Sequence, residues 1–272
     1  VALYTGYIVI QPDDENLAAL YEGRSTDYNF IVNQYVIIQD VEGKVIDKRR
    51  WDGEKLVPLS YVKIKDFKPK TPKQECACDL LSNKEIPIKI IAGVAGSGKS
   101  RLSIVHGLYF VDKQVYSKLF SVRHNVGVGR SNGFLKGSKV EKILAWLGFL
   151  RDNMSDRQLT IEEMIGRETL EVDGIEFLKG RDIKDAWMMI DEAEDIDEPV
   201  FKMVGERCSE GSVICFIGDL DQATQEEFKK SSGLRRAIEK FQGLPQVGII
   251  VFDDKENDNV RSDVSRIFTK YY

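Results

Sequence analysis

The chain of 272 residues is poor in the side chains that bind metals or form cross-links, with two histidines and four cysteines. Cys76, Cys78, Cys208 and Cys215 are too few and too scattered for the disulfide framework of a small secreted protein. Cys76 and Cys78 stand one residue apart in an apparent helix and so point to different faces. With only His106 and His124 to join them, a zinc site is not expected. No apolar run approaches the roughly 20 residues that cross a bilayer. The opening Val1-Ala2-Leu3-Tyr4 lacks the basic start of a signal peptide, although without Met it would also suit a piece of something longer. Reduced thiols in a cytoplasmic protein are the expectation. Positive charge is also short: a net charge of −5 leaves any nucleic-acid contact to a local patch.

What the chain does carry is an ordinary globular composition and length enough for one large domain plus a small one. Residues 1–66 read as a small β-rich domain. Tyr7–Ile10 and Phe30–Ile38 look like strands, with a helix from Glu15 to Tyr21 between them. The turn Glu42-Gly43-Lys44 leads back into Val45–Trp51. A Lys- and Pro-rich tract, Lys63 to Lys73, marks the boundary, and residues 67–272 form the main domain. Thr71 is an N-cap candidate with Pro72 at the first helical position. Five strand candidates follow: Ile88–Ala92, Leu119–Val122, Trp187–Ile190, Val213–Ile217 and Val247–Phe252. Helical segments separate most of them, which predicts an α/β fold with a mostly parallel five-stranded sheet covered by helices. The long insertion between the second and third strands holds a polar loop at Gly127–Gly133 and a helix from Val140 to Asn153. Its last part reads as a hairpin turning on Asp173-Gly174.

The first strand runs into Gly93-Val94-Ala95-Gly96-Ser97-Gly98-Lys99-Ser100, and a helical pattern follows. This is a P-loop in the context it requires. Its glycines let successive backbone N–H groups turn toward phosphate oxygens, and the helix start adds unpaired N–H groups and a positive dipole end. Residues Gly93 through Arg101 are the nucleotide-binding candidates. Lys99 would reach the β- and γ-phosphates, and the Ser100 hydroxyl would ligate Mg²⁺. Two further strands end in chemistry. Trp187–Ile190 delivers Asp191, suited to hold Mg²⁺ through water, and Glu192, suited to deprotonate an attacking water. Cys215–Ile217 leads into Gly218-Asp219-x-x-Gln222, whose amide could reach the γ-phosphate or that water. Between Lys113 and Lys142 seven basic residues face one acid, Glu141, and Tyr116, Phe120, Phe134 and Trp146 could stack on bases.

These motifs in this order resemble the PhoH-like ATPases, a RecA-like P-loop group related to the first motor domain of superfamily-one helicases. The resemblance runs from about Pro72 to Tyr271. Gln74 fits an adenine-reading glutamine ahead of the P-loop. Arg123 and Gly133-Phe134-Leu135-x-Gly137, with Glu141-Lys142 behind them, fit the family's loop after the second strand. Phe177-Leu178-Lys179-Gly180-Arg181, Ser231-Ser232-Gly233-Leu234 and Asn259-Val260-Arg261 fit its later segments. Two positions depart: Glu194 stands where the family's acidic motif has Gln, and Lys136 where it tends to have Pro. The stretch Thr5-Gly6-Tyr7 through Asn33-Gln34-Tyr35 is similar to the connector that joins a PIN ribonuclease to the ATPase in longer relatives. The resemblance implies Mg²⁺-dependent ATP hydrolysis by a ring, a hexamer, that acts on single-stranded RNA or DNA. Arg261, then Arg207, are the candidates for an arginine that stabilises the transferring phosphoryl group. A slow, ATP-controlled regulatory or assembly protein and a small-metabolite kinase remain as alternatives.

Overall fold

The computed structural model describes residues 3–23, 28–123, 161–223 and 226–253. Its first part is a four-stranded sheet of β1 (Tyr7–Ile10), β2 (Tyr35–Gln39), β3 (Val45–Trp51) and β4 (Leu56–Pro58) in that order. Helix α1 (Asp14–Glu22) starts where the Asp13 carboxylate accepts the Asn16 N–H. The apolar run from Phe30 begins to pair only at Tyr35, because Asn33 adopts a φ of 64° and ties its side-chain amide to the carbonyls of Pro245 and Val247. The two faces of β2 then divide. Val36 and Ile38 pack with Leu20 of α1, while Tyr35 and Ile37 enter the main core.

The main sheet contains β5 (Ile88–Gly93), β6 (Lys118–Arg123), β7 (Leu170–Gly174), β8 (Ala186–Asp191), β9 (Val213–Gly218) and β10 (Val247–Phe252). Their order is β10-β5-β9-β8-β6-β7, and every neighbour is parallel. The sheet therefore has six strands where the sequence predicted five. The extra one is β7, which was expected to turn back at Asp173-Gly174. Gly174 is extended instead, with φ −81° and ψ 152°, so it cannot make the positive-φ turn of a tight hairpin. Leu170–Gly174 continues parallel to β6, and Ile175–Phe177 closes as a 3-10 turn.

The strands are apolar on both faces because helices cover both. On one side α2 (Pro72–Ser82) and α3 (Lys99–Asp112) bring Leu80, Leu81, Leu102 and Ile104 onto Met189, Cys215 and Ile217. After α4 (Ile161–Gly166), helices α5 (Glu198–Gly205) and α7 (Gly233–Phe241) cover the other side, with Phe201, Val204, Leu234 and Ile238 on Met188 and Phe216; α6 spans Glu226–Ser231. Thr71 and Pro72 start α2 as expected, the Thr71 hydroxyl accepting the Gln74 N–H. Cys76 and Cys78 lie in α2 and are both buried although they point to different faces of it. Helix α2 is enclosed on two sides, Tyr35 of the small sheet donating to Asp79 at 2.8 Å while Leu80 faces the large sheet. Among the described residues no cluster of three or more His, Cys, Asp or Glu could hold a metal, and no helix is long and apolar enough to cross a membrane.

Tyr116 and Phe120, offered above as stacking faces, are core residues at 4% and 0% exposure, so they present no ring to a base. Tyr116 packs edge-on against Phe110 and Trp187. Phe134, Trp146 and the basic residues from Arg130 to Lys142 lie outside the described residues, as do the expected loop and helix of the insertion.

Candidate phosphate-loop site

All six strands run the same way, so the ends of β5, β6, β8 and β9 meet along one edge of the sheet. The loop after β5 is folded by its glycines. Gly93 has a φ of 113°, and a Cβ there would lie 1.9 Å from the Phe252 carbonyl oxygen, so only glycine fits. Val94 N–H bonds that same carbonyl at 3.1 Å, fastening the loop to the end of β10. Gly98, at φ 88°, turns the chain into α3. Lys99 is nearly buried, and its ammonium donates to the carbonyls of Gly93 at 2.6 Å and Val94 at 2.8 Å.

The strand order places β9 between the loop strand and β8. Across that gap the Ser100 hydroxyl lies 3.4 Å from Asp191 Oδ1. Burial pushes the Asp191 carboxyl above the usual range, while Arg123, Ser100 and Lys99 pull it back. Glu192 follows with a φ of 55°, rare for a residue with a side chain. Its carboxylate pairs with the Arg123 guanidinium from the end of β6. Arg123 stands opposite Asp191 in the strand register, which explains how it reaches both acids.

From the end of β9, burial pushes the Asp219 carboxyl upward, while Lys99 and the Ala95 N–H of the loop oppose it. Gln222 sits on the turn that follows, exposed, with its N–H on the Asp219 carbonyl at 2.9 Å. Glu194 lies just beneath this edge. One of its oxygens, Oε2, is buried without a hydrogen-bond partner, and burial pushes its carboxyl up to about 7. Gln74 reaches the loop from α2, its side-chain N–H donating to the Ser97 carbonyl at 2.8 Å. A cavity of about 690 Å³ opens between Gln74, Gly98, Arg101 and the connector around Phe67.

Lys99, Ser100, Asp191 and Gln74 thus converge on one loop, and Arg123 ties Glu192 to the same edge. Arg207 does not join them. It donates to the Met203 and Arg181 carbonyls at the end of the sheet where strands begin, beside the bridge between Ile183 and Cys208. A strand of six residues puts nearly 20 Å between that end and the phosphate loop, so Arg207 cannot serve the loop of its own chain. Arg261 lies outside the described residues. The sequence brought Asp219 to the same edge as an acid ending a strand but assigned neither it nor Arg123 a role in the site. Asp219 carried the same signal as Asp191, an acid ending an apolar strand; the pairing of Arg123 required the strand register.

Comparison with known proteins gives a family match. The model described as PhoH-like protein matches residues 66–272. The PhoH2 protein of Bacillus subtilis strain 168 is 28% identical over 268 residues, covering 91% of this chain and 60% of its own length. PhoH2 of Thermobispora bispora is 25% identical over 98% of this chain and 62% of its own length. A PhoH-like protein of Bacillus subtilis is 30% identical over 66% of this chain and 56% of its own. The chain therefore spans about half to three-fifths of the length of the curated relatives it matches.

Proposed function

The chain belongs to the PhoH-like protein family, and on that premise we propose that it is a magnesium-dependent ATP hydrolase of the P-loop type. The observation that carries this reading is the approach of Ser100 to Asp191 at 3.4 Å. It brings the loop hydroxyl and a strand-end acid from two strands away into reach of one ion. Their oxygens suit Mg²⁺, which takes few protein ligands and keeps its remaining positions for water and phosphate. When bound, the ion neutralises charge on the β- and γ-phosphates.

The chain's own groups supply the rest. Backbone N–H groups of the loop and the first turn of α3 cradle the phosphates. Lys99 exchanges its loop carbonyls for phosphate oxygens. Glu192, aimed by its pair with Arg123, takes a proton from the attacking water as that oxygen bonds the γ-phosphorus and the bond to the bridging oxygen breaks. Gln222 orients that water or the γ-phosphate from the turn after β9. Arg261 is the proposed phosphoryl-stabilising arginine, contributed within a ring of copies. Coupling to single-stranded RNA or DNA belongs to the proposal on the family resemblance and on the charge between Lys113 and Lys142. The described part of that tract supports it less, since Lys118 and Arg123 are paired with Glu171 and Glu192. The division into residues 1–66 and 67–272 is likewise kept as a proposal.

The test is phosphate release from ATP with and without Mg²⁺, single-stranded RNA and single-stranded DNA. Mg²⁺-dependent release stimulated by one of the strands is expected. In Glu192→Gln, ATP binding should persist while turnover falls by about a hundredfold or more. Equal loss of binding and turnover would contradict the base assignment.

A further inference from the structure

The position of Gln74 suits it poorly to reading adenine. Each end of its amide is held by backbone, which leaves one N–H and one lone pair for any further contact. Its Oε1 accepts the Lys70 N–H at 2.7 Å, and its Nε2 donates to the Ser97 carbonyl at 2.8 Å. These partners fix which end is which, because a backbone N–H must meet an oxygen and a carbonyl must meet an N–H. The residue is 5% exposed. Turning the amide toward a base would strand the Lys70 donor and the buried Ser97 acceptor, which disfavours it. Its neighbour Lys73 holds the other flank of the loop. The Lys73 ammonium is buried and donates to Asp253 at 2.9 Å, directly after Phe252, whose carbonyl receives the Val94 N–H. Two successive residues at the start of α2 therefore bracket the phosphate loop at its entry and at its apex.

Among the described residues, the walls left to meet a base belong to the cavity beside Gly98. Phe67 and Leu102 give it apolar surface, and Asp66, Lys68, Lys70 and Arg101 supply its charge. Those four charged residues are exposed, and long mobile side chains in water discriminate weakly between bases. Resting on the nucleotide reading above, we propose that Gln74 is a positioning residue that braces the phosphate loop, and that the site accepts nucleoside triphosphates with little regard to the base.

The test is displacement of a fluorescent nucleotide, with Mg²⁺ present, by ATP, GTP, CTP, UTP and inorganic tripolyphosphate. The four nucleotides are expected to fall within about tenfold of one another in the wild-type chain. Gln74→Ala should weaken all four, and tripolyphosphate with them, by a common factor of about ten. Gln74→Glu, which keeps the acceptor for Lys70 but not the donor to Ser97, should behave in the same way. A preference for ATP beyond about a hundredfold, or loss in either variant confined to ATP with tripolyphosphate unchanged, would overturn the inference and leave the nucleotide reading standing. If either variant fails to fold, the wild-type comparison decides alone. Wild-type protein that binds neither any nucleotide nor tripolyphosphate would overturn both.

Discussion

The two ends of the main sheet are made from the same strands and treat their polar groups in opposite ways. Where strands begin, protein satisfies them. Lys89 is fully buried, and burial pushes its ammonium down to about 7, but it donates to the carbonyls of Leu80, Asn83 and Ile86 at 2.8, 2.6 and 2.7 Å. Ser212 accepts the Ala186 N–H and donates to the Ile183 carbonyl. Where strands finish, Asp191 and Asp219 are pushed up by burial, Glu192 holds a positive φ, and Glu194 keeps a buried oxygen without a partner. Volume does not separate the ends: a cavity of about 880 Å³, larger than the one beside Gly98, lies among Ile88, Phe201, Phe216 and Phe241 at the beginning of the strands. Perturbed acids are better markers of a functional edge than volume.

The largest effect that sharpens this contrast is expected from Lys89 at the start of β5 and Lys99 beyond its end. Lys99→Ala should weaken ATP binding by about a hundredfold or more, roughly 3 kcal/mol, with a smaller loss of stability than at Lys89 because it releases two loop carbonyls, one of them only part-buried. Lys89→Met should do the reverse. It strands three carbonyls, so stability should drop by on the order of 3 kcal/mol while ATP affinity of the folded protein is kept. Calorimetric titration and thermal melting of the two variants check this. Comparable loss of affinity in both would erase the distinction between the ends.

Much of the finishing edge was legible in the sequence because it is built from local signals. Glycine spacing before Lys99 and an apolar run ending in Asp191 each need only a few adjacent residues. The Thr71 cap and the acids at strand ends follow for the same reason. What escaped depends on pairings between distant segments. The β7 strand was missed because Asp173-Gly174 satisfies a turn pattern while the backbone of Gly174 stays extended. The link between Arg123 and Glu192 spans 69 positions and exists only through the register of β6 on β8. Tyr116 and Phe120 looked available as stacking rings because composition carries no burial; packing onto Trp187 and the sheet decided it.

A smaller, pH-dependent effect separates the ends through Glu194. Burial is the main cause that lifts its carboxyl to about 7, Asp195 and Asp191 add to it, and its own N–H and that of Asp219 oppose it. Arg235, on the helix packed over this segment, carries a buried Nε with no partner. Between the ordinary value of 4.5 and about 7, the folded chain keeps a proton that the unfolded chain releases. Stability from this group is therefore complete below that window and is lost as pH rises through it. Glu194→Gln should flatten the dependence and exceed the wild type at pH above 7 by on the order of 1–2 kcal/mol. Urea unfolding at the two ends of the window reads it. Identical slopes in variant and wild type would remove Glu194 from the strained edge.

The smallest effect is expected from Arg207, and it tests the contrast most sharply. Its guanidinium donates to the Met203 carbonyl at 3.3 Å and to the Arg181 carbonyl at 3.2 Å, and lies 3.8 Å from Glu206. These are long contacts at a half-exposed position, so Arg207→Ala should cost about 1 kcal/mol or less, a few degrees in melting temperature at most. ATP turnover per folded molecule should stay within about twofold of wild type, since its own phosphate loop lies at the other end of the strands. A fall of about a hundredfold in turnover, with ATP affinity kept, would mean that Arg207 acts on the site of a neighbouring copy. Mixing Arg207→Ala with Glu192→Gln separates that case. Each variant spoils a different contribution, so a shared site assembled from two chains would regain activity in the mixture, whereas chains that work alone would not. Recovery would make the beginning of the strands part of a catalytic interface, and the two ends would no longer divide into a structural one and a chemical one.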